Sequence, residues 1–478
     1  MDINKNNSAK IVKKVVFNIL MQTKSPLRIS SGIDDGITDM LVLKDKKGRA
    51  FIPGTSLAGV LRGKISSIYT EKIADLLFGS IADDGNQSML NISDIVLENT
   101  KIINRDGIKI NSFTGVSEQG SKYDFEVIDR GATGSLAVEV TIRENMLKVI
   151  EKLNINYRPE HKNEGFAVNG DVYGEILATL ADILTSGISI GALTSKGFGK
   201  IQSIEPVKMN VFDFQQKNGA KFWWQYLNNQ YQEQPVYIGK IIVDEAKEDF
   251  VMQLDCALQS SMIIRDYDVD ISEGESRISA VQMKSGNDFV IPGTSIKGVL
   301  KTGAHNILRN LDYDEETIRE ILDLLMGKET NTNIAGQKSR LIVDEVYINS
   351  RAINSKNHSR NRIDRFTGGT IEGALFTEKP IWQTNKNEAT IALNIRVQNC
   401  QHDEAGLLLL LMKDLWLGNL SIGGNKAIGR GVLKGIYCQI NYLDDVFVID
   451  DTDGFKISGD VDKLESYVRQ LGLSLIHI

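Results

Sequence analysis

The residues best equipped for chemistry are cations set beside an aromatic ring and beside glycines. From position 360 to 369 the chain reads Arg-Asn-Arg-Ile-Asp-Arg-Phe-Thr-Gly-Gly, so Arg360, Arg362 and Arg365 are interleaved with Phe366. Guanidinium for phosphate and a ring face for a base is the composition that single-stranded RNA demands. Two glycine-rich loops carry further cations: Lys196 and Lys200 in 191–200, Lys426 and Arg430 in 423–431. Their glycines permit positive φ and close backbone approach, which suits an anion as well as a tight turn into a strand. Lastly, Pro53-Gly54-Thr55-Ser56 and Pro292-Gly293-Thr294-Ser295 each open an apolar helical pattern, with Arg62 and Lys301 at one shared offset and Lys64 and Lys297 nearby. The unpaired N–H groups and the dipole of a helix start suit a phosphate, and plain capping by Thr55 or Ser56 uses the same geometry.

Other chemistries find little support. Of five histidines, His161, His305, His358, His402 and His477, none forms a His-x-x-x-His pair or adjoins a serine nucleophile motif. His358, beside the arginine cluster, is the one candidate general base for metal-independent RNA cleavage. Neither glycine-rich loop has Walker spacing, which leaves nucleotide hydrolysis unsupported. Cys256, Cys400 and Cys438 are too few and too scattered for a disulfide framework or a Cys-x-x-Cys zinc site, and Cys400-Gln401-His402 lacks zinc partners. A reducing cytoplasm is therefore expected. The longest apolar run, 406–412, is too short for a membrane span, and the lysine-rich first 15 residues lead into no secretory h-region, so no membrane partner is expected. A net charge of -7 speaks against a uniformly basic nucleic-acid binder but allows a local basic stripe on an acidic body.

The elements that must position these cations occur twice. Phe51-Ile-Pro-Gly-Thr-Ser-Leu-Ala-Gly-Val-Leu-Arg62 and Val290-Ile-Pro-Gly-Thr-Ser-Ile-Lys-Gly-Val-Leu-Lys301 are nearly one sentence, which makes the chain a tandem duplication. Three more landmarks follow in the same order: a helix end at Gly79 or Gly327, a strand-like segment at 92–97 or 342–347, and Phe113-Thr-Gly or Phe366-Thr-Gly before the glycine-rich loop. Residues 10–20 and 249–258 read as strands. Leu57, Val60, Leu61, Ile65 and Ile68 follow a helical period, and second helices are expected near 171–187 and 404–420. Two helices against one antiparallel sheet, twice, predict an α+β chain of two tandem ferredoxin-like domains. The expected division is 1–205 and 246–443 for the two domains, 206–245 as a connector with a small helix, and 444–478 as a C-terminal extension, either a hairpin or a loosely ordered tail.

This ordered set, present twice, resembles the RAMP superfamily, and most closely the backbone subunits of type III CRISPR effector complexes, here as two fused copies. The resemblance covers about four fifths of the chain. It implies guide (CRISPR) RNA, target RNA and other effector subunits as partners. It also implies RRM-like folds with thumb-like β-hairpin insertions, rooted at Phe113 and at Arg362, Arg365 and Phe366, that wedge between guide and target. Repeat one departs from the arginine pattern, with Lys109, Asn111 and Ser112 around Phe113, which implies weaker backbone contact there.

The resemblance also supplies the catalytic candidate. Target-cleaving members carry an aspartate in the loop before the Pro-Gly motif, and counting back fourteen residues from Pro53 reaches Asp39. Such a carboxylate would hold Mg²⁺ or another divalent cation together with substrate phosphate oxygens, supporting in-line attack by a ribose 2′-OH. The same count from Pro292 reaches Ile278, with Arg277 and Ser279 beside it, so one cleaving and one scaffolding repeat are expected; Glu275 is the nearest acid. Three functions stay open: a target-cleaving backbone subunit, a non-catalytic RNA-binding scaffold, and a nuclease that processes precursor guide RNA.

Overall fold

A computed structural model describes residues 10–30, 32, 40–80, 87–108, 119–144, 172–231, 236–237, 248–266, 271–273, 276–328 and 336–473. By contact the chain divides into two compact units: Met1–Arg105, Asp124–Ala192 and Gly199–Val243 form the first, and Asp106–Tyr123, Leu193–Phe198 and Asp244–Ile478 the second.

In the first unit, β-branched Ile11–Thr23 is the spine of a seven-stranded antiparallel sheet. It pairs on one side with Thr133–Arg143, which pairs in turn with Leu90–Ile92, and on the other with Lys200–Ser203 and Lys208–Asp213. The second unit builds the same core order: Leu341–Val343, Ile391–Val397, Phe250–Leu258 and Leu433–Tyr442 lie side by side, all antiparallel. In both units the helix after the first strand begins at the Pro-Gly turn, Gly54–Ile68 or Gly293–Asn310, and a later helix follows the third strand, Val172–Ser186 or His402–Trp416. Helical spacing puts Leu57, Leu61 and Ile65 on one face, each wholly buried. Each such side chain contributes about 2 kcal/mol of burial. Ile296, Leu300 and Leu308 do the same in the second unit.

The structure corrects two readings. The helix expected to run to Gly79 is two helices, Gly54–Ile68 and Glu71–Phe78, because Thr70 caps a new start by accepting from the Ile73 N–H. Asp314 does likewise for Glu315–Met326. The helix cap is also not Thr55 or Ser56: Pro53 sits at that position, and the Asp94 carboxylate accepts the Gly54 N–H at 2.7 Å. Gly54 is required there, since a Cβ would lie 2.2 Å from the Ile92 carbonyl oxygen.

Among the described residues, both stretches flanking the second repeat carry secondary structure. Residues 208–213 form a strand of the first sheet, and the helix Gly219–Leu227 packs Trp223 and Tyr226 on Phe212, each with ring centroids 5.2 Å apart. Asp445–Asp450 and Lys456–Ser458 extend the second sheet as a hairpin. The helix Val461–Leu473 then sets Tyr467 edge-on against Tyr442.

Candidate nucleic-acid interface

The clearest candidate surface is the end of a β-hairpin in the second unit. His358–Arg360 pairs antiparallel with Phe376–Lys379, and the intervening chain is closed by a bridge between Ile363 and Thr370. Asp364 builds the tip. Its carboxylate accepts from the Phe366 N–H and the Thr367 N–H, both at 2.8 Å, and from the Thr367 hydroxyl. These donors, the Thr367 amide first, hold the Asp364 carboxyl below its ordinary value. The turn so fixed leaves Phe366 fully exposed, with Arg362 and Arg365 exposed on either side. A fully exposed aromatic ring held by a dedicated turn offers a platform for another planar group.

At the base of the hairpin lies a buried ion cluster that the sequence reading missed. Glu378, 2% exposed, accepts from Arg265 at 2.9 Å, Arg430 at 2.8 Å, Arg360, and the Asn425 amide at 3.1 and 3.2 Å. Burial raises its pKa, but Arg360, Arg265, Asn425 and Arg430 outweigh burial, and the net shift is downward. Arg430 is also 2% exposed, and its other amino group donates to His358 Nδ1 at 3.0 Å. Read from the sequence as an RNA-facing cation, Arg430 instead stands behind the surface. Its loop neighbour Lys426 is exposed. A long-range carboxylate, 52 residues away along the chain, is the partner a local pattern cannot reveal.

A second cationic cluster surrounds the Pro-Gly-Thr-Ser helix of the same unit. Lys297, 6% exposed, donates to Ser339 Oγ at 2.6 Å, Ser195 Oγ at 3.1 Å and the Leu341 carbonyl at 3.1 Å. All three acceptors are neutral. Burial, then the like charges of Lys196 and Lys301, lower its pKa to about 7. Lys301 is exposed, and Lys196, Thr294 and Ser295 are half-buried.

In the first unit the candidates are dispersed. Arg62 donates to the Gly79 carbonyl at 2.7 Å and to Glu71 at 3.0 Å and pairs with Asp75, so its guanidinium ties its helix to the next one. Thr55 is exposed, and Ser56 and Lys200 are half-buried. Asp39 and Phe113 lie outside the described residues. Among the described residues no group of three or more His, Cys, Asp or Glu side chains is placed to hold a metal ion. Ile278, at the second repeat's equivalent of Asp39, is buried in the strand Ser276–Gln282. The three cysteines are free and buried, and no helix among the described residues is long and apolar enough to cross a membrane.

Comparison with known proteins agrees with the duplicated architecture. The family model of the RAMP superfamily matches residues 20–202 and again 233–434. None of the curated proteins compared matches the chain. Among solved structures, a chain in the cryo-EM structure of the type III-B Cmr-beta bound to cognate target RNA aligns at 14% identity and a TM-score of 0.30, over 42% of this chain and 61% of that one. The two matched regions together span most of the sequence, one for each repeat, and on that ground the chain belongs to the RAMP superfamily as two fused copies.

Proposed function

We propose that this chain is a guide-RNA-binding backbone subunit of a type III CRISPR effector, built from two ferredoxin-like RAMP domains, that cuts complementary target RNA in a metal-dependent manner at the first repeat. The observation that carries the RNA-binding part is the hairpin tip: Phe366 fully exposed on a turn fixed by Asp364, with Arg362 and Arg365 beside it. A ring and two guanidiniums on one projecting turn offer stacking to a base and charge to the flanking phosphates, and together they suit a thumb that enters between paired strands. The core strand order shared by both units, with one helix after the first strand and one after the third, supports the ferredoxin-like assignment. Asp39 is the carboxylate assigned to cleavage, toward the divalent cation.

Phe366→Ala tests the binding surface. Because the ring is fully exposed, the variant should melt with the parent protein, while affinity for single-stranded RNA falls about tenfold, the loss of one base-stacking contact. Filter binding and thermal unfolding on the same preparation read both quantities. Unchanged RNA affinity would remove the tip from the interface.

A further inference from the structure

We propose that Glu378 is a positioning residue that fans Arg265, Arg360 and Arg430 out at the base of the hairpin, so that the solvent edges of Arg265 and Arg360 form a subsite for a phosphodiester of single-stranded RNA. The proposal rests on the RNA-binding reading and adds a site to it. Three chain segments far apart in sequence deliver the arginines: the strand Arg265–Asp266, the strand His358–Arg360 and the glycine-rich loop. One buried carboxylate engages all three, and Asn425 ties in by donating to Glu378 and accepting from Arg265 at 3.1 Å.

The geometry sorts these groups by depth. Glu378 and Arg430 are sealed at 2% exposure, while the side chains of Arg360 and Arg265 remain 23% and 34% exposed. Arg360 also lies over the Phe376 ring, 4.9 Å from its centroid, which fixes the guanidinium plane. Two planar donors locked by a buried acceptor lose little freedom when they meet an anion, which is what makes arginine forks effective on phosphates. The subsite lies two residues before Arg362, so a strand stacked on Phe366 would run its backbone toward it.

The alternative is that Glu378 only pins the hairpin to the body of the unit. Full-length protein separates the two, titrated with a short single-stranded RNA bearing a 5′-hydroxyl across a salt series, so that phosphodiesters are the only phosphate offered. Arg360→Gln and Arg265→Gln leave Glu378 with its remaining partners. Each should remain folded with a lowered melting temperature, as expected when a buried carboxylate loses one of its partners, while weakening RNA binding about tenfold and lowering the slope of log affinity against log salt by about one. Glu378→Gln gives a test of sign. It adds net positive charge, so bare electrostatics predicts tighter binding, whereas loss of positioning predicts severalfold weaker binding.

Arginine variants with the parent's affinity and slope, or a folded Glu378→Gln protein that binds as well as or better than the parent, would overturn the subsite while leaving the wider function standing. If Glu378→Gln does not fold, the arginine pair decides alone. A parent protein with no salt-dependent RNA binding would remove both readings together.

Discussion

Asp39→Ala protein is expected to hold guide and target RNA as tightly as the parent and to lose metal-dependent target cutting by on the order of a hundredfold or more, the scale of removing one preorganised charge partner from a reacting centre. The reasoning is differential. Binding draws on many phosphate contacts spread over both repeats, whereas charge developing at the scissile phosphodiester is met by a local group. The second repeat provides a built-in control, because Ile278 stands at the corresponding offset and is 4% exposed in a strand. Parent protein should therefore cut at one position per bound chain. A gel-resolved cleavage assay on matched target, with and without EDTA, reads the outcome. Undiminished cutting by Asp39→Ala would assign catalysis elsewhere, and cutting of precursor repeats that survives EDTA would favour a guide-processing nuclease.

The second large effect is a pH dependence at Lys297. In the folded chain burial and the charges of Lys196 and Lys301 bring its pKa down to about 7, against an ordinary 10.5. Between those values the unfolded chain holds a proton that the folded chain has released, so unfolding free energy rises with pH. The full penalty of the buried charge is present below about pH 7, and it is relieved toward pH 10. From about pH 7 to about pH 9 this one group should add on the order of 2 kcal/mol of stability. Lys297→Met should lack that rise, as measured by urea unfolding of both proteins across the window. Parallel curves for parent and variant would refute the assignment. RNA binding should move the opposite way, since a phosphate near this cluster favours the charged amine, and affinity should weaken as pH rises through the same range.

Much of the architecture was legible because duplication wrote it twice. The two glycine-rich loops end in Gly199 and Gly431, both at φ +77, where a Cβ would lie 1.9 Å from the Ile190 or Ile422 carbonyl oxygen. Backbone demands of that kind leave a visible mark in sequence. Helix periodicity likewise located Leu57, Leu61 and Ile65 in the core. Charge partners were not legible, because they are set by tertiary contact. Arg62 meets Glu71 and Asp75 only after the chain turns at Thr70. Arg430 meets Glu378 only when the hairpin folds back beside the loop. Lys297 follows a surface-like Ser-Ile-Lys-Gly run yet faces Ser195, Ser339 and the Leu341 carbonyl. A cation in a loop or on a helix thus announces charge but not the direction it faces. The Asp364 turn falls between: Asp-x-x-Thr-Gly is a recognisable turn former, and what it displays, Phe366, stands in the sequence as a ring among arginines without its full exposure being foreseeable.

The most direct test is to purify the full-length chain together with its native neighbours and determine what nucleic acid leaves with it. The account predicts short RNA of uniform length, destroyed by ribonuclease and not deoxyribonuclease, and released as salt rises. A preparation free of nucleic acid, or one carrying DNA or RNA of random length, would contradict it.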